Sequence, residues 1–136
     1  MLVMSDKGLK FDNGKLQWHC MPKVILIPLV KVFIAGLKYG LYNCLKEFDN
    51  TDIRFSDALD RHLVECQMNP LAIDPEDGCY HSAKVAWYAL MRIYHAETYP
   101  KKEDYKCEPV TEVNQIQEIL QVEERRRQER KAFLAS

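Results

Sequence analysis

Apolar residues recur at spacings of three and four along four stretches of the chain, the period of a helix with one buried face. The first, 22–39, carries Leu29, Val32, Phe33 and Leu37, with regular helix expected after Pro28 and a stop at Gly40, a natural C-cap. The apolar run before Pro28 also reads as a buried extended piece, because the residue preceding a proline avoids the helical region. The second, 53–68, aligns Phe55, Leu59, Leu63 and Cys66, with Thr51 or Asp52 as its cap and Asn69-Pro70 as its stop. The third, 79–96, turns Val85, Ala86, Ala89, Leu90 and Ile93 toward a core. The fourth, 110–134, holds Val113, Ile116 and Leu120 and then the almost wholly charged Glu123 to Lys131. No segment alternates apolar and polar residues long enough to demand a sheet, so the expected class is all-α.

The connections fit this reading. Residues 1–20 form a polar lead-in with a tight-turn signal at Asn13-Gly14. A polar loop follows at 41–52, and a short acidic one at Asp74-Pro75-Glu76-Asp77-Gly78. Residues 98–109 read as a linker, which divides the chain into a helical domain at 1–97 and a C-terminal helix at 110–136, expected to serve as a packing or oligomerisation arm.

Charge and composition narrow the functional classes. Among 136 residues, 19 Lys and Arg face 20 Asp and Glu, a net charge of −1. That lacks the positive excess of a nucleic-acid binder, so no direct nucleic-acid contact is expected. The apolar run Val24 to Val30 is far short of the ~20 residues that span a bilayer. Met1 to Lys10 contains no apolar signal core, so a cytoplasmic protein is expected. Five widely spaced cysteines without a CxxC pair point to reduced thiols rather than a disulfide frame or zinc knuckle.

Two constellations carry candidate chemistry. Arg54, Asp57, Arg61 and Glu65 share one helical stripe, which alone reads as a solvated ion-pair ladder. If the second and third helices lie antiparallel, Glu65 and His62 approach Asp74, Glu76 and His81. Such a set of carboxylates with imidazole suits a divalent cation that also takes substrate phosphates. Earlier in the chain, Lys10, Lys15, Trp18, Lys38 and Tyr39 combine ammonium groups with rings that stack on a base. The alternative is a surface lysine set with Trp18 plugging the core. A Gly-rich phosphate loop is absent, so phosphate binding would fall to side chains and metal. His19-Cys20 has no third group to orient a thiol nucleophile.

Lys10-Phe11-Asp12-x-Gly14-Lys15, Pro22, Gly36-x-Lys38-Tyr39-Gly40 and Asn43, followed by Arg61-His62-Leu63 and Asp74-Pro75-Glu76-x-Gly78-x-x-His81, resemble the phage dATP/dGTP diphosphohydrolase family, which is MazG-like and includes the MazZ enzymes. The resemblance covers residues 9–95 and implies a MazG-like helical bundle, here with an extra C-terminal helix, usually assembled as a homo-oligomer. It implies hydrolysis of a purine deoxynucleoside triphosphate, dGTP or dATP, to the monophosphate and pyrophosphate. The setting implied is phage nucleotide metabolism in the host cytoplasm. It also implies Mg²⁺ or Mn²⁺ held by Asp74, Glu76, His81, Glu65 and His62, with Glu65, Glu76 and Asp74 catalytic. Lys15, Lys38 and Arg61 would meet phosphate; Trp18, Tyr39 and Asn43 the base or sugar; Lys10 and Lys84 complete the substrate set. The chain departs from the family pattern at Cys44, where tryptophan is usual, at Asn69-Pro70, where Gly-Glu is usual, and at Lys84, where a second histidine is usual. These departures motivate the alternative of a catalytically inactive nucleotide-binding or protein-interaction member of the fold.

Overall fold

The computed structural model describes residues 6–100 and 109–135; most of the expected linker, 101–108, lies outside the described residues. The architecture is all-α. Helix α1 spans Ile27–Ala35, α2 Thr51–Cys66, α3 His81–Thr98 and α4 Val113–Ala135. Among the described residues the sole extended pairing is one antiparallel bridge between Ile73 and Tyr80. The chain divides into two compact units, Met1–Tyr99 and Pro100–Ser136.

The apolar stretch expected to be one helix over 22–39 is three pieces: a 3-10 turn at Lys23–Leu26, then α1, then a second 3-10 turn at Gly36–Tyr39. Pro28 sits in the first turn of α1, where a missing N–H leaves no bond unmade. Gly40 then halts the run with φ +103°, a conformation that side chains rarely tolerate. Helix α2 begins two residues before the expected 53, and neither Thr51 nor Asp52 caps it. Asn50 holds the cap position in a left-handed conformation, and the Thr51 hydroxyl donates to Phe48 O at 2.8 Å. The helix ends at Cys66, short of the expected 68. Arg54, the first residue of its charged stripe, donates to the backbone oxygen of Asp49 at 3.2 Å.

Helices α2 and α3 make the most extensive interface, and α1 lies against α3. The seam is aromatic. Phe55 of α2 meets Trp87, Tyr88 and His95 of α3 at centroid distances of 6.1, 5.5 and 5.2 Å, and Phe48 at 5.8 Å. Phe33 of α1 packs edge-on to Trp87 at 6.1 Å. Tilted and edge-on pairs of this kind add about 0.5–1.5 kcal/mol each beyond area burial. Ala58, Cys66, Cys79, Ala83 and Met91 are buried, and the two cysteines are free thiols.

Helix α3 runs from 81 to 98 rather than 79 to 96, and its buried stripe is not the expected one. Ala86, Ala89, Leu90 and Ile93 are exposed, the last two at 47% and 57%. The buried positions are His81, Lys84, Met91 and His95, with half-buried Tyr88 completing the 3–4 spacing. Polar groups enter this stripe because they find partners on other elements: His81 on His62, Lys84 on Asp74 and Asp77, and His95 Nε2 on Cys44 O, while His95 Nδ1 is buried with no hydrogen-bond partner among the described residues.

Helix α4 belongs to the second unit. Ion pairs Arg127–Glu124 (2.8 Å) and Arg130–Glu123 (2.9 Å) line it at the surface, where solvent screens them. No helix among the described residues is long and apolar enough to cross a membrane.

Candidate functional site

The loop between α2 and α3 folds back on itself through backbone bonds. Asp74 N–H donates to Cys79 O and Gly78 N–H to Asp74 O, both at 2.8 Å, and His81 N–H donates to Ala72 O at 2.9 Å. Gly78 makes the turn possible with φ +74°. The loop thereby delivers Asp74 beside His81 at the start of α3, facing His62 of α2. Ligand atoms of His62, Asp74 and His81 all lie within 4.8 Å of one another.

The two imidazoles are in direct contact, Nδ1 to Nδ1 at 2.8 Å, so one ring holds the shared proton and the other a lone pair. Tyr88 stacks on His62 at 5.8 Å and 20°. Burial, with the positive charge of Lys84, pushes His62 down to about 4. Burial also lowers His81, against the opposing pull of Asp74 and Glu65. Both rings are therefore neutral at pH 7, the form in which imidazole binds a metal.

Lys84 occupies the other side of Asp74. Its ammonium lies 2.6 Å from Asp74 Oδ2 and 2.6 Å from Asp77 Oδ2, with its side chain only 11% exposed. The remaining oxygens, Asp74 Oδ1 and Asp77 Oδ1, accept the N–H groups of Glu76 and Cys79, each at 3.0 Å. Burial raises both carboxyls, but Lys84 and these amides outweigh it and hold them below the ordinary range. Burial lowers Lys84, and its two carboxylate partners more than reverse that.

The other candidate residues fall into two groups. Glu65 lies on α2 within electrostatic reach of His81. Arg61, Glu76, Tyr39 and Lys84 all reach the Tyr88 phenol electrostatically, with burial the larger influence in raising its pKa. Lys38 sits over the Tyr39 ring at 5.1 Å, and half-buried Asn43 opens the 3-10 turn Asn43–Leu45. By contrast Lys10, Lys15 and Trp18 lie on the exposed N-terminal segment. Lys10 pairs with Asp12 at 3.9 Å, Lys15 N–H closes a turn on Asp12 O, and Trp18 is 65% exposed rather than in the core. Among the described residues no contact joins these three to the His62–His81 cluster.

Two residues of the cluster were absent from the expected site set. Tyr88 lies seven positions after His81, hence on the same helical face, and that spacing could have found it. Asp77 meets Lys84 only through the loop's turn, which leaves no periodic trace.

The donor chemistry discriminates among ions. Two neutral imidazoles beside one carboxylate favour an ion that accepts nitrogen as well as oxygen over Mg²⁺, which prefers oxygen ligands. The Asp74–Asp77 pair does not offer a second such position, because Lys84 stands between the two carboxylates.

The described residues thus form an all-α bundle in which His62, Asp74 and His81 gather beside an acidic loop, with Arg61 and Tyr88 close to them. A family model described as "dATP/dGTP diphosphohydrolase, N-terminal" matches residues 5–105. That is most of the chain, which therefore belongs to this family of hydrolases named for dATP and dGTP. No curated protein and no solved structure matches it.

Proposed function

We propose that the chain is a MazG-like nucleotide pyrophosphohydrolase that converts dGTP or dATP to the monophosphate and pyrophosphate in phage nucleotide metabolism, in the host cytoplasm. The convergence of His62, Asp74 and His81 within the family-matched segment carries this reading. His62, Asp74 and His81 would hold a divalent ion, with Glu65 and Glu76 beside them, and Mn²⁺ fits the donors better than Mg²⁺. When bound, that ion supplies positive charge to the triphosphate and acidity to a water molecule.

The protein's own groups divide the remaining work. Glu76 or Glu65 accepts the proton of the attacking water. The water oxygen forms the new bond to the α-phosphorus, and the bond from that phosphorus to the bridging oxygen breaks, releasing pyrophosphate. Arg61, Lys38, Lys15 and Lys10 neutralise phosphate oxygens, the dominant requirement of phosphoryl chemistry. Tyr39, Trp18 and Asn43 contact the base or sugar. Asp74 takes part through its negative charge, which acts on both imidazoles.

Incubation with each deoxynucleoside triphosphate and Mn²⁺ or Mg²⁺ tests the reading. Monophosphate and pyrophosphate are expected from dGTP or dATP, and at least tenfold less from Glu76→Gln, the range general-base loss typically exceeds. No turnover with any of the four nucleotides rejects the enzyme. One observation favours a second reading, a catalytically inactive nucleotide-binding or interaction member: Lys84 neutralises the carboxylates a metal would want. Calorimetry showing metal-independent nucleotide binding without turnover would select it.

A further inference from the structure

We propose that the Tyr88 hydroxyl is a phosphate-binding group, donating to an oxygen of a polyphosphate chain beside the guanidinium of Arg61. In resting on the nucleotide reading, where that chain is the triphosphate, this gives the site a ligand contact from α3 that helical periodicity did not flag. The Tyr88 ring is held from three sides. Phe55 and Trp87 meet it edge-on at 5.5 and 4.9 Å, and His62 lies nearly parallel to it at 5.8 Å and 20°. A ring fixed in this way aims its hydroxyl before any ligand arrives, which lowers the ordering cost of binding.

The hydroxyl itself forms no hydrogen bond among the described residues, although the side chain is half-buried. It is not sealed in, as the orphaned Trp87 Nε1 and His95 Nδ1 are, so it keeps a donor open to solvent. Arg61 acts on the phenol more strongly than Lys84 does, and both more strongly than Glu76. Lys84 is already taken up by Asp74 and Asp77, at 2.6 Å from each. Arg61 is exposed and forms no ion pair among the described residues, so its charge is the one left for a ligand. A hydroxyl and a guanidinium together suit an anionic oxygen, because hydrogen bonds to a charged acceptor are about twice as strong as neutral ones. Burial raises the phenol, which keeps the proton on the oxygen at neutral pH, ready to be donated. The ring that carries this donor stacks on His62, so a phosphate held by it is brought close to the imidazole pair.

Tyr88→Phe removes the hydroxyl and keeps the stacked ring. Calorimetric titrations of the full chain in Mn²⁺ compare dGTP and dATP with inorganic tripolyphosphate, which has phosphates but no base or sugar. Affinity for tripolyphosphate and for the bound nucleotide is expected to fall about tenfold or more, the loss typical of a hydrogen bond to a charged group. The melting temperature and the affinity for Mn²⁺ alone are expected to match wild type, since the ring contacts remain. A loss confined to the nucleotide would place the hydroxyl at the base or sugar and overturn the proposal. Failure of wild type to bind tripolyphosphate, an unchanged affinity for it in the variant, a bound nucleotide that is not weakened, or a matching fall in Mn²⁺ affinity also overturns it. Should Tyr88→Phe fail to fold, Arg61→Gln on the exposed face of α2 becomes the readout: a tenfold loss of tripolyphosphate affinity supports the subsite, and an unchanged affinity overturns it. Failure of the nucleotide reading shows separately, as wild type that cleaves no nucleotide yet binds tripolyphosphate through the Tyr88 hydroxyl.

Discussion

Burial holds the His62 ring neutral well below its ordinary range, and the direction of that shift sets how this group's contribution to stability responds to acid. Its ring is held at about 4 when folded, against an ordinary 6.5. Between those values the unfolded chain binds a proton that the folded chain refuses, so acid favours unfolding. The contribution is intact above pH 6.5 and is lost as pH falls toward 4. In EDTA, thermal melts between pH 7 and pH 4.5 should show the melting temperature falling, by about 4–8 °C per kcal/mol lost. His62→Gln, which has no such proton to gain, should flatten that slope; an unchanged slope in the variant would place the acid sensitivity elsewhere. Asp74 and Asp77, both held low by Lys84, act in a separate window below their ordinary range near 4, where protonating them releases the ammonium. The sequence showed that these residues could meet. It did not show the His–His contact or the Lys84 bridge, because both depend on a turn whose closure rests on backbone hydrogen bonds at Asp74, Gly78 and His81.

Helices were legible from periodicity, and their buried faces were not. α2 and α3 lie within two residues of the expected bounds, and α1 is the regular part of the first apolar stretch. The error came in α3, where Leu90 and Ile93 mark an apolar stripe that the structure leaves exposed. The stripe turned inward carries His81, Lys84, Tyr88, Met91 and His95. Hydropathy ranks such groups as solvent-facing, and only long-range partners reverse that ranking: residues 74 and 77 for Lys84, residue 44 for His95. His95 Nε2 lies 2.6 Å from Cys44 O, and the Tyr99 hydroxyl donates to Leu45 O at 2.8 Å. Together they strap the Asn43–Leu45 turn to the end of α3, beside the candidate base contact Asn43. Tyr99→Phe removes one of these bonds while keeping the ring. It should cost about 1 kcal/mol, visible as a lower melting temperature and faster amide exchange at Leu45 and Lys46. Exchange at those amides unchanged from wild type would show that His95 alone holds the turn.

At the scale of the whole molecule, α1 poses the sharpest question. Its sequence, Ile27 to Ala35, is apolar at every position but Lys31, yet none of its residues is buried. A helix that is apolar on nearly all sides is buried in a core or a membrane, and no helix among the described residues is fit to span one. Pro28, Leu29, Val32 and Ala35 are half-buried, and Phe33 meets Trp87 of α3 yet stays 40% exposed. Ile27 and Ile34 remain 52% and 59% exposed, and Val24 and Ile25 extend the same surface through the preceding turn. A contiguous apolar surface of this kind marks an interface. A second copy is the partner we propose for it, in keeping with the homo-oligomer implied by the family resemblance. A twofold interface brings the same helix from each copy together, so one substitution acts twice. Ile34→Asp would then place two carboxylates in the joint interface, where burying an unpaired charge is strongly unfavourable. Sedimentation velocity of wild type should give a multiple of the chain mass, and Ile34→Asp should shift it to the monomer with retained helical circular dichroism. A monomeric wild type at every concentration tested would reject self-association through α1, and an oligomeric variant would move the interface to another surface.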